Sequence, residues 1–228
     1  MLVARAAELR TVRRSQNRHR MLDSLDLSRA EVLERIATAL SSTLGVREAA
    51  YFGSIATGGV DFLSDIDLVV QCDGEAASRF VRRLHEIVGF VLYRSFSDDR
   101  WPAGRYWFRF ANPFLRLDLS FYGEADFQRL LTDGIGPKKP PFLPLPLGTA
   151  RVFVEPSRAL PTWSDEDRNF GGALRRFHES AKAVARGQEP RLALEAAEKA
   201  VQRFASIKLA PGVWDLYEGS LRYFRSSA

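Results

Sequence analysis

Between Phe52 and Phe121 the chain carries five residues whose types and spacing suit phosphate chemistry: Gly53, Ser54, Asp65, Asp67 and Asp118. Gly53-Ser54 ends a short apolar run, Ala49 to Phe52. A glycine in such a turn lets backbone N–H groups approach an anion closely, and the Ser54 hydroxyl adds a donor for a phosphate oxygen. Asp65 and Asp67 lie two apart in Asp-Ile-Asp-Leu-Val-Val-Gln, which reads as a strand. Both carboxylates then leave one face, while Ile66, Leu68 and Val70 point into a core. Side by side the two acids repel, and they are costly without a cation between them. Magnesium fits that need, because it takes one or two carboxylates together with substrate phosphates and water. In Arg116-Leu117-Asp118-Leu119-Ser120-Phe121 the leucines alternate with polar residues, so Asp118 faces away from Leu117 and Leu119. If its strand lies beside that of Asp65 and Asp67, three carboxylates converge. That is enough for two metal ions about 3.5–4 Å apart, one activating a hydroxyl and one bridging a triphosphate.

Around these residues the pattern predicts the elements that must position them. Ser28 and Glu31 form a capping-box pair ahead of a helix with Val32, Leu33, Ile36, Leu40 and Leu44 on its apolar face, stopping at Gly45. The stretch from Ile55 to Ser64 reads as a loop or a single helical turn. Asp73-Gly74 opens a helix whose apolar face is Ala77, Phe80, Val81, Leu84, Ile87 and Val88, closed by Gly89. Phe90 to Ser97 reads as a strand, and Tyr106–Phe110 with Leu115–Tyr122 as an antiparallel hairpin. A short helix over Glu124 to Leu131 follows. Gly134 to Gly148 holds five prolines and reads as an extended connector, and Arg151 to Glu155 as a last short strand. From Ser164 onward the pattern is helical, with helices stopping near Gly187, near Leu209 and at the C-terminus. The expected fold class is α+β: a mixed, mostly antiparallel sheet with flanking helices over residues 1–158, then a C-terminal helical bundle over 159–228. Residues 1–25 form a basic N-terminal extension.

Each piece of the constellation has a plain structural reading. An isolated Asp-x-Asp is commonly solvated strand charge, Gly-Ser is an ordinary turn, and Asp118 alone would pair with Arg116 or Arg109. The conjunction is more specific. Gly53-Ser54 with Gly58, followed by Ser64-Asp65-Ile66-Asp67-Leu68, resembles the signature of the polymerase-beta-like nucleotidyltransferase superfamily. The spacing is similar to that of its small bacterial members, the antibiotic adenylyltransferases and the minimal nucleotidyltransferases. The resemblance implies that Gly53, Ser54 and Ser64 bind ATP or another nucleoside triphosphate. It also implies that Asp65, Asp67 and Asp118 are the catalytic carboxylates holding two Mg2+ ions. One departure stands out: many members have arginine after the alanine of Gly-Ser-x-Ala, where this chain has Thr57. A phosphate-contacting cation must then come from elsewhere, with Arg94, Arg109 or a lysine of the helical region as candidates.

Composition narrows the class further. With 46% hydrophobic and 27% charged residues the chain reads as an ordinary globular protein, and no apolar run approaches the roughly 20 residues of a membrane span. The N-terminus lacks the apolar core of a secretory signal, so a cytoplasmic location is expected. Cys72 is the sole cysteine and the three histidines are scattered, which excludes an intrachain disulfide and a zinc cluster. The net charge of +5 suits an anionic ligand such as a nucleotide or nucleic acid, but an Arg-rich soluble surface is the plainer reading, because only Arg5 to Arg20 concentrates the charge.

Three readings of the function remain open at this level. A hydroxyl-bearing small molecule such as an antibiotic could accept AMP, with the helical bundle closing the cleft. A toxin–antitoxin-type enzyme would instead modify a protein or tRNA, in keeping with the basic stretch Arg5 to Arg20. A non-catalytic nucleotide-binding protein is the third, and the three intact aspartates speak against it. None of Glu166, Glu179, Glu195 and Glu198 stands out as a general base, and Glu179 sits where Arg175 or Arg176 would pair with it on one helix. Trp101, beside Pro102, is the aromatic best placed for a pocket wall.

Overall fold

Two strands of alternating character, β2 (Ile66–Gln71) and β5 (Arg116–Tyr122), lie side by side at the centre of the molecule and run parallel. The structure is a computed structural model describing residues 29–95, 103–109, 112–149, 151–188 and 191–227. Residues 1–28, with the basic stretch and Ser28, lie outside the described residues, as do Phe96, Trp101, Phe110 and the Arg94 side chain. Helix α1 (29–41) leads into β1 (Glu48–Phe52), the single-turn α2 (Gly53–Thr57), β2 and α3 (Gly74–Val88). After these come β3 (Phe90–Ser95), β4 (Gly104–Phe108), β5, α4 (Glu124–Asp133) and β6 (Leu143–Pro144). Helices α5 (Asp165–Ala185), α6 (Arg191–Gln202) and α7 (Val213–Ser227) complete the chain. The sheet order is β3-β4-β5-β2-β1-β6, and every pairing except β2–β5 is antiparallel. The mixed, mostly antiparallel sheet and flanking helices are the α+β class expected.

Strand alternation decides the layers. On one face of the central strands, Ile66, Leu68, Val70, Leu117 and Leu119 are fully buried in a cluster with Ile36 and Leu40 of α1 and Phe80 and Leu84 of α3. Burying side chains of this size is worth about 1.5–3 kcal/mol each. The other face is covered only in part. Helix α4 sets Phe127 and Leu130 on Ala50 and Val69. Further along the strands, α5 reaches Trp107 and Arg116. The main cluster continues through Phe170, Leu174 and Phe177 of α5 into α6 and α7, so one core runs from the sheet into the helical region.

Caps explain several boundaries. Asp73 accepts from the Ala76 N–H and starts α3. Ser164 and Asp167 form a capping box on α5, and the other oxygen of the buried Asp167 accepts from Ala210 N–H, tying the α6–α7 turn to the start of α5.

Four boundaries differ from expectation. Helix α1 ends at residue 41, before Leu44, which is exposed: the Ser42 and Thr43 hydroxyls donate back to the carbonyls of Thr38 and Ala39, and Gly45 turns the chain at φ +90°. Helix α6 stops at Gln202, because Phe204 turns in to meet Phe170 edge-on at 5.6 Å. The connector contributes a two-residue edge strand, β6, paired with β1. Residues 151–155 form no strand: β1 is already paired on both edges, and Arg151 is held through its guanidinium by the carbonyls of Val46, Arg47 and Gly148.

Candidate active site

The register of four strands draws a single row of side chains across the partly covered face. Arg105 on β4 is the partner of Asp118 on β5, Asp118 of Asp67 on β2, and Asp67 of Phe52 on β1. Partners in adjacent strands share a face, so these four stand abreast. Helix α4 covers the next row along the strands (Val69 and Ala50), and α5 touches the preceding one (Trp107, Arg116 and Asp65). The row holding Asp118 and Asp67 is the floor between the two helices.

Gly53 stands directly beside this floor. Its backbone has φ +64°, and a Cβ there would lie 2.5 Å from Asp67 Oδ2. The left-handed backbone favours glycine, and a Cβ there would in addition force the Asp67 carboxylate to move. Gly53 opens α2, whose N-terminus has no side-chain cap, and its first N–H groups lack intrahelical partners. Ser54 is half-buried in that first turn. Thr57 turns its hydroxyl back to the carbonyls of Gly53 and Ser54, closing the turn without supplying a cation.

Ser64 is placed differently. It is buried, its hydroxyl donates to Asp61 Oδ1 at 2.7 Å and accepts from Asp61 N–H, and Arg29 holds its carbonyl. In this arrangement Ser64 shapes the loop ahead of Asp65. Asp61 also takes a bidentate hydrogen bond from Arg186, the residue that caps the C-terminus of α5, at 2.8 and 2.9 Å. Partial burial would raise the Asp61 acid, but the bonds from Arg186 and Ser64 outweigh it and leave the pKa at about 2.

The three aspartates meet unequal surroundings. Both oxygens of Asp65 are occupied: Arg116 Nη2 donates to Oδ2 at 2.8 Å, and the Lys182 ammonium of α5 sits on Oδ1. Asp118 accepts from Arg116 Nε at 2.8 Å and from Arg105 Nε at 3.3 Å. Burial nonetheless pushes the Asp118 acid above its usual range, with the two arginines pulling it back. Among the described residues no hydrogen bond or ion pair is made to the Asp67 carboxylate. Burial, then the charges of Asp118 and Asp65, drive its pKa from 3.8 up to about 7.

This donor set fits magnesium in kind. Carboxylate oxygens are the ligands a hard cation takes, and Asp67 is an anion destabilised for want of one. As they stand, no three His, Cys, Asp or Glu side chains among the described residues are arranged to hold a metal ion. The reason is visible in the ion pairs, because Arg116 and Lys182 already hold the oxygens of Asp65, and Arg116 also those of Asp118.

The register thus brings Asp67, Asp118 and Gly53 together, Arg116 links Asp65 to Asp118, and Ser54 follows in the same turn. The plain reading of Asp118 as a partner of Arg116 holds at the same time. Glu179 pairs with Arg175, as its helical spacing suggests, and lies 3.9 Å from Arg116 Nη1. Sequence reasoning missed Arg105 and Arg186 and reached Lys182 only as an unspecified lysine of the helical region. Arg105 could have been found from hairpin register, whereas Lys182 lies 117 positions from Asp65 and no local pattern announces it.

Helix α5 is anchored by a buried relay. Trp107 Nε1–H donates to His178 Nδ1 at 3.3 Å, which leaves the proton of the neutral ring on Nε2 to donate to Ser220 Oγ at 2.6 Å. The Ser220 hydroxyl in turn donates to the Leu216 carbonyl at 2.7 Å. Burial, followed by the nearby charges of Lys182 and Arg116, holds the His178 pKa well below 6.5, consistent with a neutral imidazole.

Comparison with known proteins agrees with this geometry. A family model described as a nucleotidyltransferase domain matches residues 33–101, which include Gly53, Ser54, Ser64, Asp65 and Asp67 and end before Asp118. No curated protein matches the chain. Among the described residues, no helix is long and apolar enough to cross a membrane.

Proposed function

We propose that this chain, a nucleotidyltransferase of the polymerase-beta-like superfamily, transfers a nucleoside monophosphate, AMP from ATP, to a hydroxyl of a small molecule such as an antibiotic. The observation that carries the reading is the juxtaposition of Asp67 and Asp118 as partners on parallel strands, with Gly53 against Asp67. Gly53 and Ser54 receive the triphosphate through backbone N–H groups and the Ser54 hydroxyl. Asp65, Asp67 and Asp118 hold two magnesium ions. When bound, these supply positive charge to the attacking hydroxyl and to the phosphates. With Gly53 on one side of Asp67 and Asp118 on the other, the triphosphate lies toward β1 and the accepting hydroxyl enters from the side of β5. The acceptor oxygen forms a bond to the α-phosphorus as the bond to pyrophosphate breaks, and the hydroxyl proton leaves to base or solvent. Lys182 takes the place of the arginine that many relatives carry at the position of Thr57, and contacts the phosphates. Catalysis is then chiefly positioning and charge stabilisation.

Mass spectrometry of the protein's reaction with ATP, Mg2+ and a panel of aminoglycosides and lincosamides tests the reading. The expected result is an acceptor carrying one added AMP, with pyrophosphate released. No adduct on any compound, together with label transferred from ATP to tRNA or protein, would replace the small-molecule acceptor with a macromolecular one.

A further inference from the structure

Lys182 is almost fully buried, its side chain 7% exposed, and Asp65 is its one ion-pair partner among the described residues. The other oxygen of Asp65 is held by Arg116, whose side chain is 6% exposed. For Asp65 to ligate a metal, one of these cations must give way. Arg116 is the fixed one: its guanidinium spans two carboxylates with three hydrogen bonds and sits on the same strand as Asp118. Lys182 is the mobile one, a compact charge on a flexible four-carbon stem with a single carboxylate to leave.

Releasing it alone would be unfavourable. The ammonium would be left buried and unpaired, with Arg116 across Asp65 and Arg186, at the C-cap of α5 four residues on, committed to Asp61. A free divalent cation makes this worse, because it brings positive charge and no anion. A nucleoside triphosphate carrying its cation brings both: the cation replaces the ammonium on Asp65, and a phosphate oxygen receives the ammonium.

We infer that Lys182 is an internal stand-in for the metal, excluding free divalent cations from Asp65 and admitting them only in company with a triphosphate. The inference rests on the reading of Asp65 as a metal ligand. It adds that metal and nucleotide bind as an obligatory pair, through one side chain of α5. By linkage, the factor by which bound nucleotide raises metal affinity is also the factor by which bound metal raises nucleotide affinity.

The test is calorimetric titration of the full chain with Mn2+, without nucleotide and then with a non-hydrolysable ATP analogue. Lys182→Met should bind free Mn2+ at least about tenfold more tightly than the wild type and the analogue more weakly, while Lys182→Arg, which keeps the charge, should stay close to wild type for free Mn2+. Lys182→Gln repeats the measurement if the methionine variant does not fold. Equal free-metal affinity in wild type and in the neutral variants would overturn the inference. Asp67→Asn separates the two levels. If that variant abolishes Mn2+-dependent turnover while neutral Lys182 variants leave free-metal affinity unchanged, the metal site stands and only the role of Lys182 falls. If Asp67→Asn leaves metal binding and turnover intact, the metal site itself is wrong.

Discussion

The strand floor around Asp67 and the α5 wall around Lys182 meet at Asp65 but are built on opposite electrostatic principles. On the floor, Asp67 is ringed by Asp65 and Asp118, with no hydrogen bond or ion pair to its carboxylate among the described residues, and its pKa stands at about 7. On the wall three cations are each answered by an acid: Lys182 by Asp65, Arg186 by Asp61, Arg175 by Glu179. Lys182, with its neighbour Arg116, is thus compensated by the floor's own acids, while Asp67 has no hydrogen bond or ion pair among the described residues. A region that withholds a counter-charge from a buried acid gives up stability for binding, whereas one that pairs its charges keeps its place.

Removing the anomaly on the floor should have the largest effect. Asp67→Asn is expected to lower turnover by on the order of a thousandfold, a loss typical of deleting a charge that acts on the transition state. It should leave thermal stability equal or higher, because a repelled carboxylate is gone. A matched pair of kinetic and melting measurements checks this, and a large drop in melting temperature would contradict the contrast. His178→Ala probes the wall from the opposite direction. It opens a cavity among Trp107, Phe114 and Phe177 and orphans the Trp107 N–H, so unfolding free energy should fall by about 3 kcal/mol in denaturant titration.

Acidity sharpens the comparison. The folded-state pKa of Asp67 is raised above its ordinary 3.8, so this group favours the folded state most at low pH, and that contribution is lost as pH rises through about 7. Metal-free protein should therefore lose stability from this group between about pH 4 and pH 7, and Asp67→Asn should flatten that slope. If Asp67 ligates the metal as proposed, affinity for Mn2+ with the ATP analogue should follow the opposite course, dropping by up to about tenfold per unit as pH falls below about 7 and the carboxylate is protonated. The smallest effect is expected at the rim. The Arg186–Asp61 pair is about 40% exposed on both sides, and Arg186→Ala should cost no more than about 1 kcal/mol, less in high salt, by thermal melting.

Much of the floor was readable along the chain. Alternation in Ile66–Gln71 and Arg116–Tyr122 assigned the aspartates to a face opposite the leucines, and Gly53-Ser54 marked the turn beside them. Ser64 was grouped with the nucleotide-binding residues by its place in the motif, yet its hydroxyl is consumed by Asp61, a bond across a loop whose shape no periodicity encodes. Leu44 continued a helical stripe, but local hydroxyl back-bonding ended the helix first.

What the sequence determined by itself are the local chemical facts: two acids on one strand face, a third on another strand, and a Gly-Ser turn at the end of an apolar run. These follow from a side-chain period of two and from backbone sterics, which act over a few residues. Only the tertiary structure decided that β2 and β5 run parallel side by side, so that Asp67 and Asp118 are partners, and that α5 lays Lys182 on Asp65. Strand order and helix docking are settled by burial of the whole core, a sum over distant residues. The cations that answer Asp65, Arg116 and Lys182, were therefore brought to it from far along the chain.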